Sequence, residues 1–201
     1  MSGDGGGGGP RSGRTRDAAH FDRLYAANPD PWGFRSSAYE LAKYDATLGA
    51  LPGRRFRSAL EVGCSIGELT RRLAGRCDRV LGIDLSAAAL RAAEAACAGL
   101  EGVGFRQAAV PGEWPDGRFD LVVLSEVLYF LVPGDLAEVA RRCMAGLDAD
   151  GVVLLVNWTG ATDDPLSGDQ AAELFIAAVA PRLRAVRQER HEGFRLDVLG
   201  E

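Results

Sequence analysis

From residue 57 onward, short apolar segments alternate with helical ones, and this alternation limits the folds that the chain can adopt. Strands that alternate with helices form a parallel sheet with helices packed on both of its faces. The sequence therefore predicts an α/β fold. The predicted strands are residues 58–62, 79–83, 103–108, 119–124 and 151–156, and the predicted helices between them are residues 68–73, 86–98 and 135–147.

Two further predicted strands, residues 183–190 and 194–199, close the chain and are separated by a tight turn at Glu192 and Gly193. A crossover between parallel strands needs a dozen or more residues, so this pair has to be an antiparallel hairpin. The helix before it, residues 169–180, is predicted to end at Pro181. The result is a seven-stranded, mostly parallel sheet with a C-terminal antiparallel hairpin.

An N-terminal helical cap is predicted at residues 17–50, in front of a core at residues 57–201. Pro29 and Pro31 lack a backbone N–H, so a helix that begins near Asp17 has to end before them. A second helix begins near Ser37, where Glu40 is placed for a capping box.

The first 16 residues contain a run of glycines and three arginines, with no apolar segment of the kind that signal peptides need. Such a composition cannot bury enough surface to offset the entropy of ordering. We therefore expect a disordered leader at residues 1–16, followed by a single domain at residues 17–201.

The composition disfavours several classes of protein. Acidic residues outnumber basic ones by 28 to 23, and a chain with a net charge of −5 is a poor partner for nucleic acid. No segment approaches the ~20 apolar residues of a membrane span. The four cysteines form no CxxC pair, which favours reduced thiols and a cytoplasmic protein without a metal site. The oligomeric state stays open.

The first predicted strand ends in the segment EVGCSIG, directly before a helix. Glycines at such a turn let the backbone bend sharply and approach a ligand closely. The dinucleotide fingerprint G-x-G-x-x-G is not met, because Ser65 and Glu68 stand at its second and third glycine positions. The carboxylate of Glu68 would also repel a pyrophosphate, whereas Glu61 indicates a ligand with a cationic group.

Asp84 ends the second predicted strand, twenty-one residues after Gly63. An acid at this place can accept hydrogen bonds from both hydroxyls of a ribose, or it can act as an ordinary helix cap. A cationic group, a ribose and no phosphate cradle together fit S-adenosylmethionine. The segment resembles motif I of class I methyltransferases, (D/E)-x-G-x-G-x-G, with Ser65 in place of the middle glycine.

Four segments of the chain resemble the nodulation protein S family of methyltransferases, and together they cover roughly residues 21–176. These are DPWGFRSSAYELAKYDATLGALP, ALEVGCSIGELTRRLAGRCDRVLGIDLS, EWPDGRFDLVVLSEVLYFL and NW…PLSGDQ. The resemblance implies a Rossmann-like fold and an amine acceptor, since relatives include N-methyltransferases of deacetylated chitooligosaccharides. Many relatives carry a histidine in place of Asn157, and commonly another in the region where this chain has Ala171 and Ala172, so the oligosaccharide substrate is not carried over.

The cofactor is expected to contact three kinds of residues: the glycine turn, the ends of the strands and an aromatic cap. Aromatic faces attract a sulfonium by cation–π interaction, although these rings could equally pack the cap on the sheet. No acid follows the third strand, so backbone groups there would have to read the adenine edge. The expected cofactor residues are Trp32, Tyr39, Glu61, Gly63, Ser65, Gly67, Asp84, Leu85, Ala109, Val110 and Ser125.

The residues expected to bind the acceptor and act on its proton follow the fourth and fifth strands; they are Glu126, Tyr129 and Asn157. Glu126 could orient an ammonium or accept its proton, and Asn157 could accept one hydrogen bond from the amine. One pKa unit above neutrality costs an amine only about 1.4 kcal/mol to deprotonate. A hydroxyl with a pKa near 15.7 would need roughly 12 kcal/mol and thus a base or a metal.

The sequence therefore favours an S-adenosylmethionine-dependent N-methyltransferase that acts on a small amine or amino sugar in specialised metabolism. One alternative is a small-molecule O-methyltransferase that uses His20 as its base. Another is a non-catalytic protein that binds the cofactor and assists a second enzyme.

Overall fold

The computed structural model describes residues 11–180 and 182–201. The predicted strands and helices are all found, with bounds that differ by at most four residues. The helices are α1 (Ala18–Ala27), α2 (Ala38–Ala50), α3 (Glu68–Leu73), α4 (Ala87–Ala96), α5 (Pro133–Gly146) and α6 (Gly168–Val179). The strands are β1 (Ala59–Val62), β2 (Val80–Asp84), β3 (Val103–Gln107), β4 (Phe119–Ser125), β5 (Leu147–Trp158), β6 (Arg184–Arg190) and β7 (Phe194–Gly200).

The seven strands form one sheet in the order β3-β2-β1-β4-β5-β7-β6. Strands β1 to β5 are parallel, and β7 lies antiparallel between β5 and β6. The predicted Rossmann-like fold class is therefore confirmed. The strand order reverses between β1 and β4, and ligands of open α/β sheets bind beyond the carboxyl ends of the strands at such a point.

The core lies on both faces of the sheet, because most side chains of the central strands are apolar and buried on either face. In β4, Val122 and Leu124 face a cluster formed with α5 and α6, whereas Leu121 and Val123 face a cluster that includes Leu73 of α3. All of these side chains are buried. Two covered faces are what the uninterrupted apolar sequences of parallel strands predict.

The cap helices begin where the sequence places their capping residues. The side chain of Asp17 accepts a hydrogen bond from the backbone N–H of His20, and that of Ser37 accepts one from the backbone N–H of Glu40. The second half of the predicted capping box does not form, because the N–H of Ser37 donates to the carbonyl of Gly33 and the carboxylate of Glu40 pairs with Lys43. Phe21 of α1 packs with Ala89 of α4, so the cap is joined to the core next to the end of β2.

The predicted leader is described only from residue 11 onward, and residues 11–16 make specific contacts. The N–H of Ser12 donates to the carbonyl of Asp163 (2.7 Å), and the N–H of Arg16 donates to that of Phe130 (3.0 Å). The hydroxyl of Thr15 accepts a hydrogen bond from the N–H of Val132 (3.0 Å). These six residues thus differ from the expected disorder, because the loops after β4 and β5 supply partners for them.

Residues 1–10 of the predicted leader and the predicted helix stop at Pro181 lie outside the described residues. Within the described ranges, the helices are too short or too polar to cross a membrane.

Candidate cofactor and acceptor site

A cavity of about 730 Å³ lies between the cap and the carboxyl ends of β1, β2 and β4. Its volume falls within the range of small-molecule sites. Of the residues expected in the site, those that line the cavity are Trp32, Tyr39, Glu61, Gly63, Ser65, Asp84, Leu85, Ala109, Val110, Ser125, Glu126 and Tyr129. Gly67 and Asn157 lie outside its lining.

The glycine turn needs left-handed backbone at Gly63 and at Ser65, with φ angles of +76° and +50°. A Cβ atom on Gly63 would lie 2.2 Å from the side chain of Val127, so only glycine fits there. Ser65 adopts the conformation that motif I usually gives to a glycine. Its N–H donates to the carboxylate of Asp84 (3.0 Å), and its hydroxyl shares a short hydrogen bond with the hydroxyl of Tyr25.

Gly67 does not line the cavity but lies on the side of the turn that faces α4. It precedes α3 with a φ angle of +81°, and a Cβ atom there would lie 2.9 Å from Ala93 of α4. Its lack of a side chain therefore lets α3 begin directly against α4, which fixes the far side of the cofactor turn.

Glu61 is fully buried at the end of β1, where one carboxylate oxygen accepts a hydrogen bond from the hydroxyl of Thr70 (2.5 Å). Burial, opposed by the hydrogen bond from Thr70 and assisted by the nearby charge of Asp84, raises the pKa of Glu61 to about 8. A cationic group bound next to Glu61 would favour the ionised carboxylate. The residue therefore suits a ligand that carries an ammonium.

Asp84 is held by two backbone amides. Its carboxylate accepts hydrogen bonds from the N–H of Ser65 (3.0 Å) and the N–H of Ser86 (2.9 Å). Burial raises the pKa of Asp84, and these hydrogen bonds oppose that effect. Each carboxylate oxygen keeps acceptor capacity for a further donor such as a ribose hydroxyl.

Ala109 and Val110 line the cavity beyond β3, where the adenine edge was expected. The N–H of Ala109 already donates to the carboxylate of Glu113 (2.7 Å). A ring nitrogen could use this N–H only by displacing Glu113. That backbone groups of Ala109 and Val110 bind the adenine edge therefore stays a prediction.

The aromatic cap divides into two groups. Trp32 lies against Tyr25 and Phe34, with ring centroids 5.9 and 5.4 Å apart. Tyr39 packs instead against Trp158 of β5 (6.0 Å) and Phe194 of β7 (6.1 Å). Tyr25 was missed by the sequence analysis, although its spacing of four residues from Phe21 places both on one face of α1.

Glu126 adopts a φ angle of +57°, which is uncommon for a residue other than glycine and frequent at functional sites. One carboxylate oxygen accepts a hydrogen bond from Lys43 Nζ (2.9 Å). The other accepts hydrogen bonds from Tyr129 Oη (2.7 Å) and from the N–H of Trp158 (3.0 Å). The carboxylate is thus fixed by α2, by the segment after β4 and by the end of β5.

Asn157 does not line the cavity, contrary to the expectation that it contacts the acceptor from the end of β5. Its side chain points to the opposite face of the sheet, with its Cβ atom 3.1 Å from where a Cβ atom of Gly168 would lie. Side chains alternate along a strand, so the neighbouring Trp158 lines the cavity instead. Within the described residues, neither amide atom of Asn157 has a hydrogen-bond partner.

The cavity lining also includes Arg16, Asp163 and Asp164, which no sequence motif indicated, and His20, the base of the O-methyltransferase alternative. Arg16 pairs with Asp164 (2.7 Å) and with Asp163 (3.0 Å). These pairs join the segment before α1 to the loop after β5 in the cavity wall.

Comparisons by family model and by sequence both match nodulation protein S. A family model described as nodulation protein S matches residues 18–191. Nodulation protein S of Bradyrhizobium diazoefficiens is 32% identical over 122 residues, which make up 58% of this chain and 57% of that protein. The chain thus spans just over half the length of the first curated relatives that it matches.

Two solved structures of methyltransferases also resemble the chain. A crystal structure from Pseudomonas syringae assigned to the methyltransferases is 33% identical, with a TM-score of 0.70, and the match covers 82% of this chain and all of that one. The N-methyltransferase NodS from Bradyrhizobium japonicum WM9, in complex with S-adenosyl-L-homocysteine, has a TM-score of 0.80 at 22% identity. That match covers 92% of this chain and 97% of NodS.

Proposed function

Since this chain belongs to the nodulation protein S family, we propose that it is a methyltransferase that transfers the methyl group of S-adenosylmethionine to the nitrogen of a small amine. The observation that carries the proposal is one cavity with acids at both of its ends. Glu61, which is buried, and Asp84, which is partly buried, lie at the strand ends beside the glycine turn. Glu126, also partly buried, lies at the other end, which we assign to the acceptor.

The residues of the glycine turn fit the parts of the cofactor. Glu61 would hold its ammonium, and Asp84 would accept hydrogen bonds from both ribose hydroxyls. Leu85 would pack against the adenine, while the rings of Tyr25 and Trp32 form a wall suited to a sulfonium. When bound, the cofactor supplies a methyl group on a positively charged sulfur. The NodS structure that contains S-adenosyl-L-homocysteine supports this choice of cofactor.

The charge of the acceptor end favours a cationic acceptor. In the cavity lining, Lys43 pairs with two carboxylates, Glu40 and Glu126, and Arg16 pairs with two more, Asp163 and Asp164, so carboxylates outnumber cations there. An acceptor that carries a phosphate or a carboxylate would meet like charges there, whereas a protonated amine would be attracted. A small amine or an amino sugar therefore fits this end best.

Glu126 and Tyr129 are placed to accept the proton that the amine loses. The hydroxyl of Tyr129 donates to Glu126, so its oxygen keeps lone pairs that can accept an N–H of the acceptor. A protonated amine has no free lone pair, so its nitrogen first gives a proton to the carboxylate of Glu126, directly or through Tyr129. The neutral nitrogen then takes up the methyl group, and as the N–C bond forms and the S–C bond breaks, positive charge moves from sulfur to nitrogen. Orientation of the nitrogen within the cavity supplies the larger part of the rate enhancement.

The experiment is a methyl-transfer screen with isotope-labelled cofactor and a panel of small amines and amino sugars, each paired with its hydroxyl analogue. Label on the nitrogen of an amine, with none on the matched alcohol, is the expected result. Label on hydroxyls would replace the proposal with O-methylation, for which His20 in the cavity wall would be the base. Cofactor binding without transfer to any member of the panel would favour the non-catalytic alternative.

A further inference from the structure

Lys43 is the single lysine of the chain, against 22 arginines. The arginines lie mostly at the surface, whereas Lys43 is 4% exposed on the inner face of α2. Lysine is among the residues that are least often fully buried. All other strongly basic positions of the chain are arginines. The one lysine therefore stands at a buried position, where a compact ammonium fits differently from a planar guanidinium.

The ammonium of Lys43 lies between two carboxylates. Its Nζ atom is 3.0 Å from Glu40 on the preceding turn of α2 and 2.9 Å from Glu126, which is 83 residues away. It also lies 5.2 Å from the centroid of the Tyr39 ring. Glu40 alone would suffice as an ion-pair partner, so the bond to Glu126 is a second one that joins the cap to the end of β4.

Two carboxylates near one another in a desolvated place do not both stay ionised without a cation between them. Burial raises the pKa of Glu40, and the charge of Glu126 adds to this effect, while Lys43 opposes it. The titratable or charged groups that face this cluster are Asp30, Tyr39, Glu40 and Tyr44 of the cap, Glu126 after β4, Tyr129 of the following turn, and Asp164 of the loop after β5.

We infer that Lys43 is a positioning residue of the methyl transfer: its ammonium holds Glu126 as an oriented carboxylate at the acceptor end of the cavity. This inference rests on the proposed function for its consequence in catalysis, but the coupling between Lys43 and Glu126 exists without an acceptor. The two can therefore be tested separately.

The coupling is tested by NMR of protein labelled with ¹³C-lysine, which gives one Cε signal because the chain has one lysine. The signal is followed against pH in the wild type, in Glu126→Gln and in the control Glu94→Gln, whose side chain is exposed on α4. Loss of one carboxylate should lower the titration midpoint of Lys43 by about one pH unit. Glu94→Gln should leave the midpoint unchanged. Equal midpoints in the wild type and Glu126→Gln would overturn the inference.

The consequence in catalysis is tested with Lys43→Met and Lys43→Arg on an acceptor found by the screen. Binding of S-adenosylhomocysteine, measured by calorimetry, checks that each variant is folded. The acid limb of the kcat/KM profile should move to higher pH in Lys43→Met. Lys43→Arg should restore this limb in part but lower turnover, since its fork does not fit the same space. If the limb stays in place while the NMR coupling is present, the proposed role of Glu126 fails and the coupling stands.

Glu40→Gln carries the test if Lys43→Met does not fold. This variant keeps Lys43 and removes the competing carboxylate, so the acid limb should move to lower pH. A shift to higher pH, or none, would contradict the inference.

Discussion

The guanidinium of Arg16 lies 2.7 Å from the carboxylate of Asp164, and 148 residues separate the two along the chain. Both side chains are largely buried, with exposed fractions of 18% and 11%. Arg16 also binds Asp163, so the N-terminal segment at residues 11–16 is fixed to the loop after β5. Because Arg16 and both aspartates line the cavity, this ion pair forms part of its wall, on the side that we assign to the acceptor.

Arg16→Ala should loosen this wall and leave the cofactor end intact. Removing one partner of a largely buried ion pair leaves the other charge uncompensated. We expect faster hydrogen exchange at residues 130–132 and 163–164, a higher KM for the acceptor and an unchanged affinity for S-adenosylhomocysteine. Arg14→Ala is the matched control, since Arg14 is exposed on the same segment. Equal exchange in the two variants would show that the ion pair does not hold the segment.

Glu61 predicts how cofactor affinity depends on pH. With a pKa of about 8, Glu61 is mostly protonated at pH 7 in the free protein, and a bound ammonium favours its ionised form. Binding should therefore release a proton at pH 7, and affinity should rise with pH and level off above 8. Calorimetry in buffers of different ionisation enthalpy measures this release for S-adenosylhomocysteine.

Glu61→Gln should abolish that proton release and flatten the dependence of affinity on pH between 6 and 8. The variant should also change stability in a defined direction. From pH 4.5 to about 8 the unfolded chain has lost the proton of Glu61 while the folded chain keeps it, so the free energy of unfolding falls as pH rises. This component of the fall should be missing in Glu61→Gln. Equal proton release in both proteins would remove Glu61 from the ammonium site.

Gly63→Ala and Gly49→Ala should have opposite effects on stability. A methyl group on Gly63 meets the side chain of Val127 at 2.2 Å and requires a φ angle of +76°, so we expect weaker folding and loss of cofactor binding. Gly49 lies in α2 with no atom within 4 Å of its added Cβ atom. Alanine there should stabilise the protein by about 0.5–1 kcal/mol. Thermal unfolding of both variants tests the assignment, and a stable Gly63→Ala would contradict it.

Local features of the sequence predicted the fold and brought the expected cofactor residues to one cavity. Ser37 predicted the start of α2, and the turn before α3 and Asp84 after β2 line the same cavity. Capping and the ends of parallel strands depend on residues that are close in sequence or on the sheet topology, which is why these placements could be predicted; that these residues bind the cofactor stays a prediction.

The acceptor end could not be predicted in the same way, because its contacts join distant parts of the chain. The bond from Lys43 to Glu126 depends on how the cap sits on the sheet. Arg16 lies in a segment whose composition favours disorder, and its partners follow β5. Asn157 was placed on the wrong face, because β5 extends to Trp158 and its alternation puts Asn157 towards α6.

Glu126→Gln tests the mechanism most directly. The amide keeps the shape of the side chain but cannot take up a proton, so turnover should fall by about 10²–10⁴-fold, the usual range for a general base. Affinity for S-adenosylhomocysteine should stay at the wild-type value, since Glu126 lies at the acceptor end. Tyr129→Phe removes one hydroxyl from the same network and should lower turnover less, provided that Glu126 takes the proton directly.

The dependence of this loss on pH separates two roles of Glu126. If the carboxylate acts by removing the proton of the bound ammonium, raising the pH above the pKa of the amine supplies the free amine and should restore most of the rate of Glu126→Gln. If the carboxylate acts by orienting the acceptor nitrogen, Glu126→Gln should stay slow at high pH. Wild-type turnover of Glu126→Gln at neutral pH would remove Glu126 from the mechanism. His20 would then be the next base to test, with hydroxyl acceptors again among the candidates.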